Sequence, residues 1–211
     1  MRSGNGSGGQ QRSFIEDARR RQIIASAVEV ISEVGYGNAS LALIAKHAGV
    51  SKGVISYHFD GKDDLMTQLV IQLYFAGGEF MAPRIGRAVG PRAQLLTYLE
   101  SNLDFIAANR NYVAAMTDVV VNLREEDGSL KFASVDGERE IIAPLLEMLR
   151  EGKRVGDFGD FDATLMAESI RDVIDGVAGR VVRDPEFDIA AYSAHVCRVF
   201  DVATRKGRSD D

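Results

Sequence analysis

Residues 51–62, S-K-G-V-I-S-Y-H-F-D-G-K, gather two ammonium groups, a phenol, an imidazole and two serine hydroxyls in a short run of chain. These are hydrogen-bond donors and positive charges, and they suit non-covalent recognition of phosphates and base edges. Lys52 can neutralise a phosphate or reach a guanine edge. Gly53 keeps the surface low enough for close approach, and Tyr57 and His58 offer donors to phosphate oxygens. Val54 and Ser56 complete the outward surface, and Lys62 lies beyond, where it can clamp a nucleic-acid backbone.

Chemistry of other kinds has no such concentration. His47, His58, His195 and the single Cys197 are scattered without metal-ligand spacing. The chain has no G-x-S-x-G, no Walker A loop and no G-x-G-x-x-G after a strand. Asp157, Asp160 and Asp162 lie close together but lack the bidentate glutamate of a calcium loop, and read as solvated carboxylates. No catalytic residue, metal ligand or cofactor is therefore expected, and the chain is not expected to be an enzyme.

The spacing dictates what holds residues 51–62 in place. Ser40 is the expected N-cap of a short helix whose inward face is Leu41, Ile44, Ala45 and Ala48. Gly49 supplies a left-handed turn residue, Val50 plugs the angle, and Ser51 caps a second helix running to about His58. Ile55 and Phe59, four apart, should anchor that helix in a core. This is a helix-turn-helix pattern. A supporting helix is expected from about Phe14 to Val34, with Ile23, Ala27, Val30, Ile31 and Val34 on one stripe. Arg19, Arg20 and Arg21 near its start are equally compatible with solvated surface and with phosphate contact.

Charge is distributed unevenly over the 211 residues. Residues 1–62 carry eight Lys or Arg against five Asp or Glu, whereas the remainder carry 17 against 26, within a net charge of −6. A basic head on an acidic body is compatible with DNA binding, because only the docking face must meet phosphates. The single cysteine fits a reducing, cytoplasmic setting. No apolar run reaches the roughly 18 residues needed to span a bilayer, so no membrane partner is expected.

The run I-A-K-H-A-G-V-S-K-G-V-I-S-Y-H-F-D-G-K-D-D-L, with G-Y-G-N-A-S upstream at Gly35–Ser40, resembles the signature of TetR-family transcriptional regulators. Ile44, Ala45, Ala48, Gly49, Val50, Ser51, Gly53, Tyr57, His58, Phe59, Lys62 and Leu65 match in register. The resemblance implies a double-stranded DNA operator, a small-molecule effector and a homodimer. It also implies DNA contacts at Ser40, Ser51, Lys52, Gly53, Val54, Ser56, Tyr57, His58 and Lys62. Two departures stand out. Ala42, with Leu43 following, replaces a polar or basic residue, and Ser56 replaces the first of two aromatics.

Further helices are expected over about 62–81, 90–108, 112–123, 137–151, 163–182 and 189–204, with breaks at Gly77-Gly78, Pro83 and Pro144. The fold expected is all-α: a three-helix helix-turn-helix head joined through a shared helix to a helical ligand-binding and dimerisation domain. The divisions are an N-terminal arm at 1–12, the head at 13–62, the body at 63–205 and a polar tail at 206–211. Tyr98, Phe105, Tyr112, Met116 and Met148 can line an adaptable pocket, or can simply be core. Arg171 and Asp175 are its polar candidates, and can equally pair with each other or across a dimer. The apolar band of the helix from Ala163 is wide enough for a core and a second subunit, or for full burial in one chain. Interface residues expected are Met166, Ile170, Val173, Val177 and Val181, with Tyr192, Val196, Val199 and Phe200 on the last helix; the resemblance implies a four-helix dimer interface there. The expected activity is that of a ligand-responsive repressor. The alternative is an activator, co-regulator or helical ligand-binding protein with a weakened DNA-binding surface.

Overall fold

The computed structural model describes residues 7–133 and 135–206. Its regular elements, in chain order, are α1 (Ser7–Val34), α2 (Leu41–His47), α3 (Lys52–His58), α4 (Gly61–Ile85), α5 (Pro91–Ala108), α6 (Arg110–Asn122), α7 (Val135–Val155), α8 (Ala163–Arg183) and α9 (Ile189–Thr204). Among the described residues the β pairing is limited to an isolated bridge between Arg124 and Leu130. The chain forms two compact units. The head comprises Met1–Leu73 and Ala115–Leu123; the body comprises Tyr74–Ala114 and Arg124–Asp211. The division falls inside α4 and again inside α6, so both helices contribute to both units.

The head is built on the periodicity of α1. Ile23, Ile24, Ala27, Val28, Val30 and Ile31 are buried, and α2 and α3 pack on this helix. Val34, expected on the same stripe, is exposed at the helix end. Ser40 Oγ accepts from the Leu43 N–H at 3.2 Å and Ser51 Oγ accepts from the Val54 N–H at 3.3 Å. Each cap satisfies one of the donors a helix start leaves unpaired and contributes about 1 kcal/mol. Between the two helices Gly49 takes φ +66°, in the left-handed region that a side chain disfavours.

In the body, α5 is central, with α7, α8 and α9 packed on it. Leu95, Leu99 and Leu103 are fully buried along its inward face. Asp162 caps α8, its Oδ1 accepting from the Thr164 and Leu165 N–H groups at 2.8 and 3.0 Å. Asp188 caps α9 in the same way through Ala191, at 2.9 Å. Asp160 pairs with Lys153 at 3.1 Å.

Several boundaries differ from expectation. The first helix begins at Ser7, inside the stretch expected as an arm; residues 1–6 and the tail from 207 lie outside the described residues. α4 continues through Gly77, Gly78 and Pro83 to Ile85. Each glycine costs about 1 kcal/mol against alanine, which packing along a helix readily offsets. Pro83 stands in the final turn, where one hydrogen bond is forfeited. α7 likewise runs through the exposed Pro144. Proline and glycine mark weak points, and tertiary packing decides whether a helix ends there.

Candidate nucleic-acid interface

The recognition candidates sit on a helix whose orientation is set by two buried anchors. Ile55 is 0% exposed and Phe59 is 2% exposed. Fixing these inward leaves Lys52, Gly53, Ser56 and Tyr57 exposed, and Val54 and His58 half-buried at the edges. Tyr57 is 73% exposed, which is unusual for an aromatic that serves only packing. Its ring meets the His58 ring edge-on at 4.9 Å, and its hydroxyl donates to Glu16 Oε1 at 3.4 Å.

The two cap serines have a dual position. Ser40 and Ser51 are both exposed, yet each side-chain oxygen already accepts from its own helix. A hydroxyl that accepts in this way retains its proton for donation outward. Ala42 and Leu43 on α2 are exposed and bring no polar group, while Lys46 is exposed on the same short helix. His47 pairs with Glu29 of α1 at 2.5 Å.

Lys62 is placed differently from the free clamp expected of it. Its Nζ donates to the Tyr36 carbonyl at 2.7 Å and stands 4.3 Å from the centre of the Tyr36 ring. Burial pushes its pKa below the usual lysine value, partly offset by the carboxylates of Asp63 and Asp118. The bond to Tyr36 uses one of the three ammonium donors, so a phosphate contact would share the group with the Tyr36 carbonyl. The Tyr36 N–H in turn donates to Asp118 Oδ2 at 2.7 Å, tying the loop after α1 to α6. Burial, with Asp63 and Asp118 nearby, pushes the Tyr36 phenol up.

α1 also reaches the helix-turn-helix through side chains that spacing does not single out. Gln22 Nε2 donates to the Ala48 carbonyl at 3.1 Å, at the end of α2. Arg20 donates to the His58 carbonyl, at the end of α3, and its guanidinium lies 4.5 Å from the Phe59 ring centre. Of the three consecutive arginines, Arg20 turns inward and Arg19 donates to Gln22 Oε1 at 2.8 Å. These links join residues 26 and 38 positions apart, and no local pattern announces them.

Among the body candidates, Tyr98, Arg171 and Asp175 come together, with Tyr74 as an addition. Arg171 Nε donates to Asp175 Oδ2 at 2.9 Å, and Nη2 donates to the other oxygen. Burial works against the guanidinium charge, but Asp175, with Tyr74 and Tyr98 beside it, more than compensates and its pKa rises. Burial raises the pKa of both phenols, with Arg171 opposing. Phe105 packs on the Phe80 ring at 5.6 Å instead. Burial pushes Tyr112 up to about 12. Met148 is half-buried, and Met116 belongs to the head unit.

The interface residues expected on α8 and α9 fall into buried, half-buried and exposed sets within the single chain. Ile170, Val177, Val181, Val196 and Phe200 are buried within a single chain. α8 packs on α7 and α5, and α9 packs on α5, which covers part of the apolar band and leaves Leu165 and Val182 exposed. Met166, Val173 and Tyr192 are half-buried. Val199 is exposed, and Leu165 and Val202 join it as exposed apolar residues at 61% and 64%.

Comparison with known proteins bears on the head most directly. Residues 23–69 match the family described as bacterial regulatory proteins, tetR family. The chain is 37% identical over 97 residues to the HTH-type transcriptional regulator BetI 1 of Chromohalobacter salexigens, covering 46% of this chain and 48% of that protein. BetI of Pseudomonas paraeruginosa is 37% identical over 92 residues, 43% of this chain and 47% of its own length. The match thus spans about half the length of these relatives. Solved structures extend the likeness to the whole fold. The fatty acid degradation regulator FadR from Bacillus halodurans aligns with TM-score 0.75 at 26% identity, over 90% of this chain and 97% of that one. FadR from Bacillus subtilis, solved in complex with stearoyl-CoA, aligns with TM-score 0.66 at 26% identity, over 85% and 96%.

Proposed function

The chain belongs to the tetR family of bacterial regulatory proteins, and from that premise we propose that it is a homodimeric, effector-controlled repressor of transcription. The observation that carries this reading is the division of α3, which buries Ile55 while leaving Lys52, Gly53, Ser56 and Tyr57 exposed. In a dimer, two copies of α3 enter successive major grooves of a pseudo-palindromic operator. Lys52, Ser56 and Tyr57, with the caps Ser40 and Ser51 and the edge residues Val54 and His58, make the contacts, and phosphate contacts make the affinity salt-dependent. Exposed apolar residues on the last two helices (Leu165, Val199, Val202) supply part of the subunit contact.

The effector binds in the body and carries an anionic group together with apolar bulk. Two considerations support this. The Bacillus subtilis neighbour is solved with stearoyl-CoA, which has both parts. Arg171, held by Asp175 beside Tyr74 and Tyr98, offers a guanidinium from which an incoming anion can displace the aspartate. The bound effector favours a dimer geometry in which the two recognition helices cannot dock together. Its differential affinity for the two states limits how far DNA affinity falls.

A gel shift of the purified chain on DNA upstream of its own gene, with and without stearoyl-CoA, tests the proposal. The reading expects a shifted band that the acyl thioester releases. Absence of any shift at low salt, across genomic fragments, favours a ligand-binding protein whose head has lost its DNA-binding surface. A shift that stearoyl-CoA leaves intact keeps the DNA reading and removes this effector.

A further inference from the structure

α2 and α3 each have seven residues, too few to hold their orientation by themselves. What fixes each at its carbonyl end is a side chain of α1. Gln22 donates its amide to the Ala48 carbonyl at 3.1 Å, closing the end of α2. Arg20 donates to the His58 carbonyl, closing the end of α3, while its guanidinium carbon lies over the Phe59 ring, 4.5 Å from the ring centre. A helix end carries negative partial charge, so a cation seated there is favoured. Arginine alone can stack its plane on an aromatic and direct a fork of donors at a carbonyl at the same time. Phe59 is itself buried, so Arg20 rests on the residue that anchors the end of α3 in the core.

On the reading of the head as a DNA-binding unit, we propose that Arg20 is a positioning residue that aims the recognition helix from behind, with Gln22 in the equivalent role for α2. Neither touches DNA in this account. Arg20 sets the angle at which Lys52, Ser56 and Tyr57 meet base edges, so it governs specific binding and leaves general phosphate attraction alone. That separates it from a phosphate-contacting arginine, which supports every duplex equally and contributes to the salt slope.

The test uses the full chain, a duplex enriched from a random pool by the wild-type protein, and an unrelated duplex of equal length. Dissociation constants for both are measured over a salt series for wild type, Arg20→Lys, Arg20→Met and Gln22→Met. Arg20→Lys keeps the charge and loses the stacked fork. It is expected to weaken the enriched duplex about ten-fold, to leave the unrelated duplex unchanged and to preserve the salt slope. Gln22→Met carries no charge change and is expected to show the same selective loss, more weakly, so the idea survives if Arg20→Met does not fold. Two results overturn the inference. One is an Arg20→Lys protein that binds both duplexes as wild type does. The other is an Arg20→Met protein that folds, loses affinity for both duplexes equally and lowers the slope by about 1. A wild-type chain that enriches no duplex refutes the DNA reading itself and the inference with it.

Discussion

Lys62 and Tyr36 form a two-point contact: the lysine ammonium donates to the tyrosine carbonyl at 2.7 Å and lies 4.3 Å from the centre of the same residue's ring. Tyr36 is held from the other side by Asp118, which accepts from its N–H at 2.7 Å. One loop residue thus joins the start of α4, the end of α1 and the part of α6 that belongs to the head. The ammonium that sequence offers to a DNA phosphate is thus shared with the protein's own backbone.

The first consequence concerns Lys62→Met. A charge-assisted hydrogen bond and a cation–ring contact are lost, and partial solvent exposure reduces their worth. The expected cost is about 1 kcal/mol of stability, read as a lower midpoint in urea with an unchanged denaturant slope. The salt slope of DNA binding is expected to stay at the wild-type value. A slope lower by about 1 would show that the ammonium contacts a phosphate in the complex.

Tyr57 and Ile55 are two residues apart and should behave in opposite ways. Tyr57→Phe removes a hydroxyl from an exposed side chain, so stability should change by no more than about 0.5 kcal/mol while DNA affinity falls. Ile55→Ala empties a fully buried site and should cost about 2–5 kcal/mol. Thermal melts beside DNA titrations check both. A large loss of stability in Tyr57→Phe would mean that the phenol belongs to the core.

Asp201 gives the body a pH signature. Hydrogen bonding to Arg92, at 2.6 Å from Nε, holds its carboxyl below 3.8, with Arg205 at 2.5 Å adding to the effect. Because the folded value is depressed, the ionised pair stabilises the fold fully above 3.8, and this contribution is lost as pH falls through the folded value. Asp201→Asn should therefore melt below wild type at pH 7, with the two curves converging in acid. A gap that persists unchanged at low pH would assign the effect to packing.

The head was legible because its determinants are local. Ser40, Gly49, Ser51, Ile55 and Phe59 act within one or two turns of their own position, and each stands where the spacing places it. Asp118, Gln22 and Arg20 act on residues 82, 26 and 38 positions away, through backbone groups that every residue carries, so no residue pattern marks them. In the body, the hydrophobic period of α8 located its buried face. Width of the apolar band alone does not tell whether the covering surface is the same chain or another. For Ile170, Val177 and Val181 it is the same chain. The pairing of Arg171 with Asp175 was readable from four-residue spacing, whereas the approach of Tyr74 and Tyr98 depends on how α4 and α5 pack in the body.

The central claim is that the exposed face of α3 reads DNA, and selection from a random duplex pool tests it most directly, run in parallel with wild type and Lys52→Ala. The wild type is expected to enrich a site of two inverted half-sites, with centres about one helical turn or a multiple apart. Lys52→Ala is expected to weaken the preference at one base pair in each half-site while the spacing persists. No enrichment by the wild type, or an identical site and preference in Lys52→Ala, would contradict the claim.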